Sequence, residues 1–578
     1  MPALRQGRHR FAGLRFLRFP SPGVPHGSAP HGTATPVARG FALLAWILIA
    51  AGSAVAQTGT PAVQASEAPA AQVREGSAAA PPLSGTGPAG HLAQADTGLE
   101  DETAADPEKA VLLPEILVTG RPIREETRLD RLGGLVTVVG SRQIRDLNAL
   151  DLPTALRRLP GVVISRYNLV GGYGGGDGGA IYLRGLGSGR PGAEVSTLFD
   201  GIPRFVGVWT HPIMDALPIG SSGAIEVRKG AQPVLQGNMA FGSVNLVPLR
   251  RTTPGFQTSL EGTFGRYETA TGFLRHGGRQ GDFDYFLSAG SNRSDGQRDH
   301  ASGRNASVYG RAGYRLSLDQ DIHLDMHLQA QHTDGKVEDP GSATEPWPLG
   351  DPAFRIPTFR TDTEIYLATA AHRAGPLSGT IKLYMEDGRL DWLQWDSPAG
   401  GQPVQSFTTM TNYLNYGFRL QESIRLPARI GLMLGYDQDF YGGETYTKVS
   451  SGNGTRSAHD FLNRAPYATV TTTLPLDLPL PGGHAKGWRL TPSIGTRFND
   501  SRYFGEDWGW QAGVAAERGS TRLNAQYSRA FNLPGVYVAA MYDGWNRPGE
   551  WKTLDAEILD HYEVGLKIRP IQRLEAEF

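Results

Sequence analysis

From about residue 255 onward, apolar and polar residues alternate in segments of roughly ten residues that end in turn or loop signals. In residues 322–331, Leu324 and Met326 fall on one face of an extended strand, whereas His323 and His327 fall on the other. The same alternation recurs in residues 257–265, 283–289, 364–370, 379–385, 414–420, 431–438, 466–472, 522–528 and 562–568. One face of each strand therefore suits lipid and the other suits water.

Strands of this kind predict an antiparallel transmembrane β-barrel over residues 255–578. Inside a bilayer the backbone groups of an open sheet edge have no partner, so the strands must close on themselves. Several strands also carry tyrosine or phenylalanine near their ends, where transmembrane barrels have an aromatic girdle. A soluble all-β array would alternate in the same way. The choice between a transmembrane barrel and a soluble protein therefore depends on the segments that precede the strands.

The chain begins with a targeting signal, predicted over residues 1–56. Several arginines precede an apolar run at residues 41–51, and Ala54, Val55 and Ala56 supply the small residues of a cleavage site. The apolar run is too short to cross a hydrocarbon core about 30 Å thick, so we expect cleavage after Ala56 instead of a membrane anchor. The long basic lead also fits a natural start codon further along.

Residues 57–110 and 111–254 differ sharply in composition. The first segment is rich in Ala, Pro, Gly, Ser, Thr and Glu with hardly an aromatic residue, which predicts a disordered leader. The second has short apolar strands between glycine-rich turns and one amphipathic helix at residues 152–159. We therefore expect a coupling segment at residues 111–120 and a compact α+β domain at residues 121–254.

Composition removes several classes of function. The 56 lysines and arginines balance 57 aspartates and glutamates, so the chain has no net positive charge that would attract nucleic acid. There is no cysteine, which excludes thiolate chemistry and cysteine zinc sites. Neither a Gly-x-Ser-x-Gly nor a His-Glu-x-x-His motif occurs, so we expect no enzyme activity and no resident cofactor.

Five motifs in order resemble the TonB-dependent receptor family of bacterial outer membranes. They are the segment Pro114-Glu115-Ile116-Leu117-Val118-Thr119-Gly120, the helix and turn at residues 151–162, Tyr182-Leu183-Arg184-Gly185-Leu186, Leu198-Phe199-Asp200-Gly201-Ile202-Pro203, and a closing motif at residues 225–246. A sixth likeness lies at residues 527–534. The resemblance implies a plug domain inside a barrel of about 22 strands. We count about fifteen candidate strands, which predicts a chain truncated within its barrel.

The resemblance implies that Glu115, Ile116, Leu117, Val118 and Thr119 form the TonB box, which binds a periplasmic energy transducer of the TonB type. An extended, β-branched segment on a disordered tether can add as a strand to the sheet edge of a partner. The alternative is that the segment is only the first strand of the plug.

The plug motifs also imply structural residues. These are Arg184, Gly185, Asp200, Gly201, Glu226, Arg228, Gly230 and Gly237. Charges inside a core are costly unless paired, so we expect Arg184, Glu226 and Arg228 to lock the plug to the barrel wall. The sequence departs from the family at Gln236, where an aromatic residue is usual, and at Pro248-Leu249, which delays the basic residues that end the plug.

Candidate substrate-binding residues lie in two places. The expected apical plug loop offers Trp209, His211, Met214 and Asp215, and the strand at residues 322–331 offers His323 and His327. Imidazole and thioether suit copper, whereas imidazole and carboxylate suit zinc or nickel. The aromatic loop residues equally suit an iron–siderophore complex or an organic cofactor, and the same groups would line a generic polar lumen.

The function implied by the resemblance is TonB-dependent import of a scarce solute, either a metal chelate, a siderophore or a cofactor, through the outer membrane. We expect a monomer in the outer-membrane lipid that takes a small extracellular solute and binds no nucleic acid. A substrate-gated signalling receptor and a passive porin-like channel are the alternatives.

Overall fold

A computed structural model describes residues 126–578 with gaps. The gaps are residues 131, 150, 167–169, 171–178, 188–193, 206–216, 218, 298–300, 318–320, 337–353, 398–403, 450–453, 481–482 and 572–573. Among the described residues, no helix is both long and apolar enough to span a bilayer.

In its described residues, the first domain, the plug, has nine short strands and three short α-helices. In chain order they are β1 Glu126–Leu129, β2 Leu135–Gly140, α1 Ser141–Asp146, α2 Leu152–Leu156, β3 Val162–Arg166, β4 Gly179–Leu183, β5 Leu186–Gly187, β6 Val195–Phe199, β7 Ile202–Pro203, β8 Ser222–Arg228, α3 Pro233–Gln236 and β9 Gly242–Pro248. Six strands form a sheet in the order β1-β2-β8-β9-β6-β7, and β3, β4 and β5 form a second sheet. Within the larger sheet β6 and β9 run parallel.

Local sequence explains where α2 begins. Asp151 is in an extended conformation and its Oδ1 accepts the backbone N–H of Thr154 at 2.9 Å, which is an N-cap. Pro153 follows in the first turn, where its missing N–H costs nothing. Leu152 and Leu156 are fully buried in the plug core, so the predicted amphipathic helix is present and ends a few residues early.

The second domain is a large antiparallel sheet that begins at Gly255. Its strands are β10 Gly255–Phe264, β11 Ala270–Gln280, β12 Phe283–Ser294, β13 Gly303–Ser317, β14 Ile322–Lys336, β15 Phe354–Ala374, β16 Leu377–Ser397, β17 Val404–Leu426, β18 Ile430–Val449, β19 Thr455–Thr472, β20 Leu474–Leu480, β21 Gly483–Ser501, β22 Gly505–Arg518, β23 Thr521–Asn532, β24 Glu557–Ile571 and β25 Leu574–Glu577. A helix, α4 Val536–Gly544, lies between β23 and β24.

Each strand of this sheet pairs with its neighbour in sequence, except that β20 continues the pairing of β19 along β21. Among the described residues, the first strand β10 and the last strand β25 are not paired with each other. The predicted architecture, an α+β domain followed by an antiparallel sheet of long strands, is confirmed.

The two faces of the large sheet differ as the alternation predicts. On β14, Met326 is 69% exposed on the outer face, whereas Gln329 is 1% exposed on the inner face against the plug. Outer-facing apolar side chains recur along the sheet, for example Leu260 on β10, Leu383 on β16 and Ile494 on β21. An apolar outer face of this kind is what a lipid environment stabilises.

The connections at the two ends of the sheet differ in length. At one end the strands are joined by tight turns at residues 281–282, 375–376 and 519–520. At the other end the connections are longer, including residues 337–353 and 533–556. Transmembrane barrels of bacteria have short turns on the periplasmic side and longer loops outside. We call these the short-turn end and the long-loop end.

Candidate functional site

The plug meets the barrel wall first at a two-residue turn between β6 and β7. Asp200 and Gly201 both have positive φ, +49° and +80°, as a type I′ hairpin turn requires. The carboxylate of Asp200 accepts a hydrogen bond from Lys382 Nζ of β16 at 2.7 Å. The aspartate-glycine motif is therefore both a tight turn and a contact with the wall.

Directly after β7, Arg204 forms a buried ion pair with the barrel. Its Nε lies 2.9 Å from Glu386 Oε1 of β16, and the two side chains are 0% and 1% exposed. The remaining guanidinium nitrogens donate to Gln329 at 3.2 Å and Thr363 at 3.3 Å. The planar fork of arginine suits this three-way contact.

Phe205 begins a column of aromatic rings that rises toward the long-loop end. Its ring lies 5.5 Å from that of Tyr441 on β18, which lies 5.5 Å from Phe461 on β19, which lies 5.5 Å from Trp551. Aromatic pairs at this spacing stabilise the fold by more than the burial of their apolar area alone. Other large apolar side chains of the cluster surround the column, namely Phe359, Leu390, Trp392, Tyr413, Tyr503, Phe504, Val536 and Tyr542. We call this cluster the aromatic chamber.

The segment between β23 and β24 packs over the aromatic chamber from the long-loop end. Asp543 of α4 pairs with His459 Nε2 at 2.6 Å and accepts from Ser457 at 2.7 Å, so α4 is held against β19. Trp551 is only 3% exposed, because the rings of His459, Phe461, Tyr503 and Phe504 all lie within 5.9 Å of it.

Three glycines of the plug motifs have structural roles, one in a turn and two beside side chains of the barrel. Gly185 follows Arg184 in a second turn with two positive φ angles, +52° and +88°, between β4 and β5. A Cβ on Gly230 would lie 2.6 Å from His561 Nε2 of β24. Gly237 has a φ of +76°, and a Cβ there would lie 2.9 Å from the guanidinium of Arg497.

Arg497 of β21 links the plug helix α3 to the barrel wall. Its Nη1 donates to the carbonyl of Val234 at 3.2 Å and lies 2.7 Å from Asp437 Oδ2 of β18. Asp437 also pairs with Arg419 of β17 at 2.6 Å. One buried carboxylate thereby joins three strands of the wall to the plug.

The three charged plug residues expected from sequence lie in different surroundings. Arg184 pairs with Glu563 of β24 at 2.5 Å, across the boundary between plug and wall. Glu226 and Arg228 lie on β8 and pair with each other at 3.5 Å inside the plug. Glu226 also accepts from Asn245 of β9 at 3.1 Å.

The structure places two of the six predicted substrate residues on the inner face of β14. His327 is buried beside Tyr309, whose hydroxyl lies 3.0 Å from its Nδ1, and its ring contacts Phe199 of the plug. His323 lies 3.7 Å from Asp284 and 3.5 Å from Asp325. Among the described residues no group of three or more His, Cys, Asp or Glu could hold a metal ion.

Other predicted residues lie outside the described part of the chain. These are Glu115, Ile116, Leu117, Val118 and Thr119 of the coupling segment, and Trp209, His211, Met214 and Asp215 of the expected apical loop.

Sequence reasoning missed the residues that dominate this interface. Arg204 lies three residues after the aspartate-glycine turn, and this closeness to the motif is the one signal that the sequence offers for it. Glu386 and Trp551 gave no such signal, because their partners lie far away along the chain. The aromatic residues of β18 and β19 were recognisable only as inward positions of predicted strands.

Residues 128–244 match the family model described as the TonB-dependent Receptor Plug Domain. The match runs from β2 into the start of β9 and includes the turns at Arg184-Gly185 and Asp200-Gly201. These residues are therefore a plug domain of the TonB-dependent receptor type. No curated protein sequence matches this chain.

Solved structures match the fold of this chain. FpvA of Pseudomonas aeruginosa, solved bound to heterologous pyoverdines, matches with a TM-score of 0.56 and 17% identity over 75% of this chain and 60% of that chain. The siderophore receptor PirA of Acinetobacter baumannii matches with a TM-score of 0.56, 16% identity and coverages of 77% and 69%. The alcaligin outer membrane receptor FauA of Bordetella pertussis matches with a TM-score of 0.52 and 16% identity over 77% of this chain and 69% of that chain. The chain thus spans 60% of the length of FpvA.

Proposed function

We propose that this receptor imports an organic metal chelate of the siderophore type across the outer membrane, with energy delivered through residues 115–119. The observation that carries the proposal is the continuous path from the aromatic chamber through Phe205 to the buried pair of Arg204 and Glu386. A solute that enters at the long-loop end meets aromatic rings first and a plug held by ion pairs beneath them. Passage therefore requires the plug to move.

Several observations support an organic chelate as the solute. The chamber offers stacked and edge-on rings, which suit planar or apolar groups of a ligand. The matching structures are named for siderophores, and one for ferric citrate. The outer apolar face of the large sheet and its unequal loop lengths support an outer-membrane location with the chamber facing outside.

The test is an uptake assay with a matched deletion. Cells that express the receptor are given radiolabelled iron as ferric pyoverdine, ferric alcaligin or ferric citrate, with and without an uncoupler of the proton gradient. We expect at least one chelate to accumulate only with the gradient intact. Deleting residues 114–120 should abolish accumulation and keep binding, whereas deleting residues 80–86 of the leader should change neither.

Two results would contradict the proposal. Uptake that persists after the gradient is collapsed would favour the porin-like alternative. Uptake that persists without residues 114–120 would remove the coupling role of that segment.

A further inference from the structure

A cavity of about 490 Å³ lies at the short-turn end, away from the aromatic chamber. The plug contributes α1, the start of β8 and residues 249–253 to its walls, and the barrel contributes β10, β11 and β12. This volume is typical of pockets that hold small molecules, about 300–1,000 Å³.

Four arginines and one carboxylate line this cavity. Arg275 is paired, since its Nη1 lies 2.7 Å from Glu261 and its Nε donates to the carbonyl of Gly220 at 2.6 Å. Arg250 is paired with Asp284 at 3.1 Å. These two guanidinium groups are therefore neutralised by carboxylates of the barrel.

The other two arginines, Arg145 and Arg251, have no carboxylate partner among the described residues. Arg251 donates from Nη1 to the neutral Gln257 at 2.6 Å. Its Nε is buried and has no acceptor in the described part of the chain. The walls also carry the hydroxyl groups of Ser141, Ser259 and Thr252 and the apolar side chains of Ile144 and Phe286.

We propose that this cavity binds a small anion that bears carboxylate or phosphate groups. An anion in the cavity would supply the charged partner that Arg145 and Arg251 lack among the described residues. Guanidinium groups match carboxylate and phosphate oxygens in bidentate geometry, and hydroxyl groups add donors. The apolar part of the wall lowers the local dielectric constant and strengthens the contact. A bound anion touches plug and barrel together and stabilises their contact at this end.

The experiment is a calorimetric titration of the full chain in detergent with citrate as the probe, at low ionic strength. We expect saturable binding at one site that weakens as sodium chloride is added. The double variant Arg145→Gln/Arg251→Gln should lower the affinity by at least about tenfold, because each lost charged hydrogen bond removes roughly that factor. Arg142→Gln is the matched control, since Arg142 lies on the same helix, does not line the cavity and pairs with Asp146 at 3.7 Å.

A second arm distinguishes a free anion from a lipid headgroup. Phospholipid retained by the purified chain is quantified by mass spectrometry, for the wild type and the double variant. Retained phosphatidylglycerol that is lost in the double variant and blocks citrate binding would support the site with a lipid as occupant. Arg145→Glu changes an exposed residue of α1 and gives a second variant in case the double variant folds poorly; it should weaken citrate binding more than Arg145→Gln does.

The proposal is overturned if the wild type and the double variant bind citrate equally. It is also overturned if the wild type binds neither citrate nor phosphatidylglycerol. Neither result depends on the chelate that the receptor imports, because no residue of the aromatic chamber is changed.

Discussion

Arg204 of the plug and Glu386 of the barrel wall form an ion pair that is almost completely removed from solvent, with 2.9 Å between Nε and Oε1. Burying both charges is costly, and only good geometry with further hydrogen bonds repays that cost. The side chains of Gln329 and Thr363 supply those bonds. The pair therefore fixes where the plug sits against the wall.

Removing one partner of this pair should destabilise the plug more than removing both. Arg204→Met leaves the carboxylate of Glu386 buried without its cation, so we expect a loss of about 3–5 kcal/mol. The double variant Arg204→Met/Glu386→Leu should recover most of that loss, since no charge stays unpaired. Urea titration with protease cleavage of the plug as the readout measures each step. Equal losses in the single and double variants would mean that the pair is not coupled.

Gly237→Ala should weaken the docking of α3 against the wall. Gly237 has φ +76° and ψ −123°, a region that only glycine adopts readily, so the backbone strain costs about 1–3 kcal/mol. The new methyl group would also displace Arg497. Gly140→Ala is the control, because a Cβ there meets nothing within 4 Å and its φ is negative. Melting temperatures of the two variants give the comparison, and a similar drop in both would contradict this account.

The stability of the plug should fall as the pH rises, because of Asp130. Burial raises the pKa of this carboxyl above its ordinary value of 3.8, although it accepts backbone N–H bonds from Leu132 and Gly134 at 2.8 Å. The pKa is higher in the folded state than in the unfolded state. The protonated form is therefore favoured by folding, and this contribution is lost as the pH rises through the folded pKa.

Asp130→Asn tests this dependence, because asparagine imitates the protonated carboxyl and keeps the acceptor for both N–H groups. We expect the variant to be more stable than the wild type at neutral pH and the difference to shrink in acid. Asp146→Asn on the exposed surface of α1 is the control. Parallel pH profiles of melting temperature for the wild type and Asp130→Asn would refute the prediction.

Trp551→Ala should release the segment between β23 and β24 from the aromatic chamber. Replacing a buried tryptophan costs about 3–5 kcal/mol, and four neighbouring rings lose a contact. Hydrogen exchange should speed up in α4 and at residues 550–553. Trp545→Ala in the same segment changes a residue that is 58% exposed and should have a small effect. Unchanged exchange in Trp551→Ala would show that the segment is held elsewhere.

The metal hypothesis for the apical loop stays a prediction. His211 and Met214 supply ligand types that suit copper. If they hold a metal, the double variant His211→Ala/Met214→Ala should lose affinity for copper or zinc in a titration of the full chain. His276→Ala on β11 is the control, because that ring contacts Tyr285 and Thr258 on the barrel. Equal affinity of wild type and double variant would end the hypothesis.

The architecture could be predicted from local patterns because each pattern has a local physical cause. Alternation with a period of two marks Leu324 and Met326 as outward on β14 whatever lies beside that strand. Likewise, Asp200-Gly201 predicts a tight turn because the two residues tolerate positive φ. Strands, turns and the order of the two domains follow from such features.

The contacts of the site could not be predicted, because they join residues with no local relationship. Arg204 and Glu386 are 182 positions apart, and their pairing depends on where β16 falls around the sheet. Glu226 and Arg228 show a related limit on prediction. Their charges predict correctly that they are paired, but the expected partners on the barrel wall are wrong, because the two residues pair with each other inside the plug.

Part of the boundary between plug and wall is made of charged and amide groups, such as Arg204 with Glu386 and Gln232 with Gln511. Such groups hold each other strongly only while water is absent, since each of them is equally well satisfied by hydration. A displacement just large enough to admit water therefore replaces each of these polar contacts with a hydrogen bond to water. The free-energy cost of moving the plug past these contacts therefore falls mainly on the first small displacement, before water reaches them.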